Sequence, residues 1–450
     1  MAKEMARRTI GGRGKLHCVA VATAMSLGLV EAVSAQTPKP LSANDVSILF
    51  PAPSTEDDLA NLIGLADLPG GPQKEPLWSK ADFDRIREIA QGTDSQIDGT
   101  SFRITLQPGT ENIAAWFIAA IRIDPGAPGL SPDIMAEFGQ QPQIRFIAQP
   151  VLRTGNGRVR VLDTAVHLIF GFSSAGTPAH PGCLPKLSPD IAAFNAVVQD
   201  IAVLRDNLAT GALGAKIETA DKPLGVHPAF ADPATGKAFA AAIKTFIENR
   251  LQASQLGTSA VMGLANGGPQ PWIFVPMAKF PGIGFTAIPG PTLDGKQKAE
   301  ALVLSGGPLV QPAPKTNNLN PITCRNAFAF PPQQFPPLPA TDRNGVATAD
   351  FLNTAGIPVD RASEIVDIIA DTRKSHFFNT DCVSCHTDTR RALDHVKSVT
   401  AGKLDPTVLP GGDWNVRNFG WFGSNPTATR RVAAETADSV QFINANMLGK

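Results

Sequence analysis

The spacing of apolar and polar residues divides the chain into strand-like, helix-like and unpatterned stretches. Between residues 36 and 100, two short segments repeat apolar residues at helical spacing. In "TEDDLANLIGLAD" these are Leu59, Leu62 and Ile63, behind an acidic start; in "KADFDRIREIAQG" they are Phe83, Ile86 and Ile89, with Gly92 as the stop. From about 101 to 175 the period shortens. "SFRITLQ", "QIRFIAQPVLR" and "VRVLDTAVHLIFGF" alternate or run apolar at strand length, and Gly155–Asn156–Gly157 marks a turn between the last two. The pattern predicts a β-hairpin within a larger antiparallel sheet. Two helices follow: "SPDIAAFNAVVQDIAVLRDNL", capped by Ser188 or Asp190, and "GKAFAAAIKTFIENRL". "TSAVMGLANGGPQPWIFVPMAKF" then reads as another hairpin, turning at Asn266–Gly267–Gly268. This mixture predicts an α+β body over residues 36–330, rich in β-structure with helices added.

Residues 331–349 break the pattern. Five prolines fall between 331 and 339, within "FPPQQFPPLPATDRNG", so the stretch predicts an extended linker and a domain boundary. Beyond it, residues 350–450 read as a small all-α domain. In "RASEIVDIIADTRK", Ala362, Ile365, Val366 and Ile369 share one face, with Asp360 as N-cap. A second helix opens near Asp381, residues 403–429 read as loop, and "ATRRVAAETADSVQFINANML" closes the chain with Ala433, Val440, Ile443 and Met447 roughly on one side.

Composition narrows the class. Glycine and proline number 40 and 39 in 450 residues, about one residue in six, which favours a loop-rich or β-rich body over a helical bundle. Forty basic residues balance forty acidic ones, so nothing suggests nucleic acid or an anionic membrane as a general partner. There is no tyrosine, which excludes tyrosine chemistry of any kind. The N-terminus has the order of a secretory signal: basic "MAKEMARRTIGGRGKLH", apolar "CVAVATAMSLGLV", then small residues to Ala35 before Gln36. Residues 1–35 are therefore expected to be a signal peptide, with the mature chain periplasmic and without a membrane span. Cys183, Cys324, Cys382 and Cys385 remain after cleavage. In an oxidising compartment Cys183 and Cys324, both in Pro-rich sequence, are candidates for a disulfide.

The chemistry concentrates in "FFNTDCVSCHTDTRRALDH". Cys382, Cys385 and His386 have the Cys-x-x-Cys-His spacing that attaches haem covalently. On one helical turn the two thiols lie on the same side, matched to the two haem vinyl groups, and the next residue falls under the iron. A structural zinc would need a fourth ligand, such as His376 or His395, and adjacent Cys385 and His386 chelate one zinc poorly. A thioredoxin-like dithiol belongs at a strand-to-helix junction, whereas here a helix precedes the motif.

On these residues the last hundred positions resemble a monohaem c-type cytochrome domain: a helix, the attachment motif, a covering loop and a terminal helix. The resemblance implies one covalent haem c, with Cys382 and Cys385 as thioether positions and His386 as the proximal iron ligand. It also implies a distal methionine in the loop before the last helix, and there the chain departs from the pattern, because residues 400–429 hold neither Met nor His. Met447 and His376 are the candidates that remain for the distal position; His395, on the same helix as His386, is poorly placed to reach the other haem face. Trp414, Phe419 and Trp421, with Phe422, are expected to wall the haem, and Arg390, Arg391 or Arg417 to pair with its propionates.

The body at 36–330 carries no GxSxG, HExxH, P-loop or dinucleotide-binding glycine motif. His167 reads as a sheet histidine, and His180 and His227 as loop residues beside prolines. The sequence thus predicts an electron-transfer protein working with a redox partner protein or a small electron donor or acceptor. The alternative is a haem oxidoreductase of peroxidase-like type, or a haem-based sensor, with an open distal site.

Overall fold

Alternation along residues 143–149 sets the architecture. Ile144, Phe146 and Ala148 enter the main apolar core, while Arg145, Ile147 and Gln149 take the opposite face of the same strand. The computed structural model describes residues 39–287 (without 67, 72, 73, 94, 98, 99, 128, 133, 134, 136–139, 179–184, 265–271 and 281), 366–373 (without 368), 382–395, and 403–449 (without 412–414 and 416).

The first element among the described residues is α1 (Ala43–Val46), which runs into β1 (Ser47–Leu49). The short pair β2 (Pro69–Gly70) and β3 (Glu75–Pro76) precedes α2 (Lys80–Gly92), and the pair β4 (Ser95–Ile97) and β5 (Thr100–Phe102) follows it. Next come β6 (Trp116–Asp124), β7 (Gln143–Gly155), β8 (Arg158–Val161), β9 (Ala165–Gly171), and a side hairpin of β10 (Ser173–Pro178) with β11 (Pro185–Pro189). Helices α3 (Ile191–Thr210) and α4 (Pro233–Arg250) lead to β12 (Leu256–Leu264), β13 (Trp272–Phe280) and β14 (Gly284–Ala287). The C-terminal part holds α5 (Cys382–His395), β15 (Phe419–Phe422), β16 (Asn425–Ala428) and α6 (Arg430–Asn446). Among the described residues one eight-stranded sheet dominates, in the order β1-β6-β7-β9-β12-β13-β14 with β8 added to β7, and every pairing within it is antiparallel.

The expected α+β class holds for the body. The β7–β8 turn falls on Gly155–Asn156–Gly157, all three at positive φ, the conformation for which Gly and Asn are best suited. Helix α2 starts at Ser79, whose side chain accepts from Asp82 N, and buries Phe83, Ile86, Ile89 and Ala90. Asp190 rather than Ser188 caps α3, and α3 stops at Gly211 in the left-handed region. Helix α4 begins earlier than its apolar period suggests, because Asp232 caps it and Pro233 suits the first turn. These helices cover one sheet face, where Phe194, Val197, Phe239 and Ile243 meet Ile118, Phe146, Leu168 and Val275.

Two expectations are corrected. The helix predicted in "TEDDLANLIGLAD" is only a 3-10 turn, Asp57–Asn61. Asp58 turns back to accept from Ser54 and Thr55 N–H, and Gly64 bridges to Phe117, which draws the following residues into extended structure. The stretch 403–429, predicted as loop, contains the 3-10 turn Pro406–Val408 and the β15–β16 hairpin, so the described C-terminal residues are not all helical. The described C-terminal residues pack with the sheet: Trp421, Ile443 and Met447 join the main apolar core. The second sheet face, with Leu49, Ala120, Ile147 and Ala165, is covered by Leu404, Phe419, Val432 and Ala433. The expected signal peptide, the Pro-rich stretch 331–349 and the expected turn at 266–268 lie outside the described residues. No helix among the described residues is long and apolar enough to cross a membrane.

Candidate functional site

Helix α5 carries the Cys-x-x-Cys-His motif from its first residue. Cys382, Cys385, His386 and Thr389 recur at i, i+3, i+4 and i+7, which puts them along one stripe of the helix. Burial follows the same side of α5: Asp388, Thr389 and Ala392 are buried, and Cys385 and His386 are half-buried. Leu393 faces out. The next helix holds α5 in place, since Arg430 N, in the first turn of α6, donates to Thr389 Oγ1 at 2.8 Å. Burial pushes the Asp388 carboxyl up to about 7, against the pull of Arg430 and of its hydrogen bonds with Thr389.

His386 packs onto the sheet. Its ring centroid lies 4.7 Å from that of Phe274, at an interplanar angle of 57°. Phe274 alternates with Val275 of the main core and so occupies the second face of β13. Two ladder steps connect it to His167: Phe274 pairs with Met262 on β12, and His167 on β9 pairs with Ala260. His167 in turn alternates with Val166 and Leu168 of the main core, so it shares the Phe274 face. Its ring is half-buried, and among the described residues no hydrogen bond reaches its ring nitrogens. Burial, helped by Arg145, His386 and Arg417, holds its pKa well below the ordinary imidazole value.

A buried ion network surrounds the patch. Arg122 of β6 donates to Glu435 of α6, and Arg431 Nε donates to the other oxygen of Glu435 at 2.7 Å. Asp124 lies 3.7 Å from Arg122 and 3.9 Å from Arg145. Arg145 Nε is buried with no hydrogen-bond acceptor among the described residues. Cys385 lies within electrostatic reach of Arg431.

Other predicted residues sit elsewhere. Met447 is buried in the main core, with Gln199 donating to its carbonyl, so the fold does not bring it to His386. Trp421 is fully buried toward the β1 side of the sheet; its Nε1 donates to Phe50 O at 2.9 Å, and Gln149 clamps its backbone N–H and C=O. Phe419 packs with Val432 and Ala433. Arg417 is buried and donates to the Trp421 and Asp163 carbonyls; burial lowers it to about 10 against the pull of Asp163. His227 is a structural residue: its Nδ1 accepts from Ala229 N, and its ring stacks on Phe239 at 4.2 Å. Cys183, Cys324, His180, His376 and Trp414 lie outside the described residues, as do the side chains of Cys382, Arg391 and His395.

A surface cleft of about 560 Å³, lined by Pro53, Thr55, Arg158, Arg160 and Gly423, holds none of the predicted site residues. Among the described residues no group of three or more His, Cys, Asp or Glu side chains gathers as a metal site. The sequence reading missed the pairing of α5 with Phe274, His167 and Arg145. The only signal for it was strand alternation, which sets His167 and Arg145 apart from their apolar neighbours. Comparison with protein-family models, curated proteins and solved structures returned no match.

Proposed function

We propose that this chain is an exported c-type cytochrome carrying one covalently attached haem, passing electrons between redox partners in the periplasm. The observation that carries this reading is the Cys382–Cys385–His386 motif on the opening turn of a helix whose histidine is turned onto a sheet face. Cys382 and Cys385 would each add their S–H across one vinyl double bond, forming two thioethers with no atom lost. His386 would supply the proximal nitrogen. The group itself would supply an iron that cycles between ferric and ferrous states.

The residues present fit such a group. Phe274 offers an apolar surface beside His386, and Arg145 holds a buried N–H without an acceptor, the kind of donor a carboxylate takes up. Arg417 is less suited to a propionate, because its guanidinium already serves two backbone carbonyls. The partner in this reading is a redox protein or a small electron donor or acceptor.

The test is chemical. The full chain is produced in a host that attaches haem, then run on a denaturing gel stained for haem peroxidase activity. A stained band at the chain's mass is the expected result, and it should vanish in the double variant Cys382→Ala/Cys385→Ala. A purified wild-type protein without haem absorption refutes the reading.

A further inference from the structure

We propose that His167, from strand β9 more than two hundred residues before the motif, is the second axial ligand, on the haem face opposite His386. The inference rests on the covalent-haem reading above and answers the question it leaves open, namely what stands where the loop methionine is missing.

Geometry carries it. The register puts His167 and Phe274 on one sheet face, separated by two strand spacings and two residues, about 12 Å between Cα atoms. His386 reaches down to that face and touches Phe274. A strand is a rigid mount, and one facing a helix offers two imidazoles from opposite sides, which a single helix cannot do. His395 shares α5 with His386 and so cannot take the opposed position.

The state of the His167 ring agrees. A ring nitrogen used as a ligand must be unprotonated and not already accepting a hydrogen bond. Among the described residues nothing donates to either nitrogen of His167. His227 shows the contrast: its Nδ1 is taken by Ala229 N. The titratable and charged groups facing His167 are Arg145, Arg417 and His386. An imidazole with no hydrogen-bond partner among the described residues has a reason to stand on this sheet face if it binds iron. Of the other donors, Met447 is committed to the main core, and residues 400–429 offer neither Met nor His.

The test reads ligation, not turnover. Purified full-chain wild type is expected to be six-coordinate and low-spin in both oxidation states, with a ferrous spectrum that carbon monoxide leaves unchanged. His167→Ala should keep its covalent haem on the stained gel, become high-spin, bind carbon monoxide, and return to low-spin when imidazole is added. His167→Met, which preserves a donor should the alanine variant misfold, should stay low-spin, gain thioether–iron absorption and shift to a higher midpoint potential. A wild type with covalent haem that is high-spin or binds carbon monoxide overturns the proposal and favours a catalytic or sensing haem. Low-spin, carbon-monoxide-inert His167→Ala, or a His167→Met spectrum identical to wild type, overturns it as well. Absence of covalent haem from the wild type fails the cytochrome reading itself, and this proposal with it.

Discussion

Replacing Glu435 with glutamine tests how firmly the motif-bearing part of the chain is tied to the sheet. Glu435 on α6 accepts from Arg122, 313 residues earlier on β6, and from Arg431 one turn before it. The two arginine side chains are only 7% and 6% exposed, so neither can turn to water when the carboxylate is neutralised. Glutamine keeps the shape, removes the charge and presents an N–H₂ to one of the guanidinium groups. Each hydrogen bond between charged groups is worth about 1.5–3 kcal/mol, and breaking a buried pair from one side about 3–5 kcal/mol. Asp124 still faces Arg122 at 3.7 Å, and Glu435 is itself 23% exposed, which moves the expected loss to the lower end, about 3 kcal/mol. The sign with pH follows. Burial opposes the Glu435 charge, but Arg122, Arg431 and Arg145 outweigh it and hold the carboxyl far below its ordinary 4.5. The contribution is therefore complete above about pH 4.5 and fades as pH falls below it, where the unfolded chain takes up a proton and the folded one does not. Urea unfolding of the full chain, followed by far-UV circular dichroism, should show the gap between wild type and Glu435→Gln at pH 7 and a narrower one at about pH 3.5. A loss under about 1 kcal/mol at pH 7, or a gap that does not change with pH, would refute the reasoning.

Three further outcomes follow from the same physics. Burial, reinforced by Lys222, lowers the His227 pKa to about 3 while the unfolded imidazole titrates near 6.5, so stability is complete above pH 6.5 and falls by about 4 kcal/mol on descending to pH 3; His227→Asn, which keeps a cap acceptor but does not titrate there, should flatten that part of the pH–stability profile in urea titrations. Gly420→Ala should cost about 2–3 kcal/mol, because Gly420 sits at φ 129° and a Cβ would meet Gln149 Oε1 at 2.7 Å; a midpoint unchanged in urea would contradict the packing of β15 on β7. Gln149→Leu should cost about 1–3 kcal/mol by leaving the buried Trp421 N–H without an acceptor, while the Trp421 C=O keeps Arg417 Nε, and hydrogen exchange at Trp421 should accelerate accordingly.

Much of the body was legible because its signals are local. The turn at 155–157 needs positive φ within three residues, and Ser79, Asp190 and Asp232 cap helices through N–H groups three residues on. Helix α5 and the spacing of Cys382, Cys385 and His386 belong to the same class. The β15 strand was not legible, because the partner that satisfies Trp421 is the side chain of Gln149, 272 residues away, and no periodicity within 403–429 announces it. The helix expected over residues 55–67 does not form for a related reason: its apolar spacing is helical, but the Asp58 carboxylate accepts from the Ser54 and Thr55 N–H donors in the turn before it and the sheet claims Gly64.

By itself, the sequence determined the motif and the strands and helices whose period or caps lie within a few residues. The tertiary structure alone decided that the described C-terminal residues share a core with the N-terminal sheet, that Glu435 answers Arg122, that Met447 belongs to the main core, and that His167 shares a sheet face with the contact of His386. The physical reason is range. Periodicity and capping act over one or two turns of chain, whereas the burial of a charge or an imidazole depends on which distant element comes to lie against it, and that depends on the packing of the whole sheet.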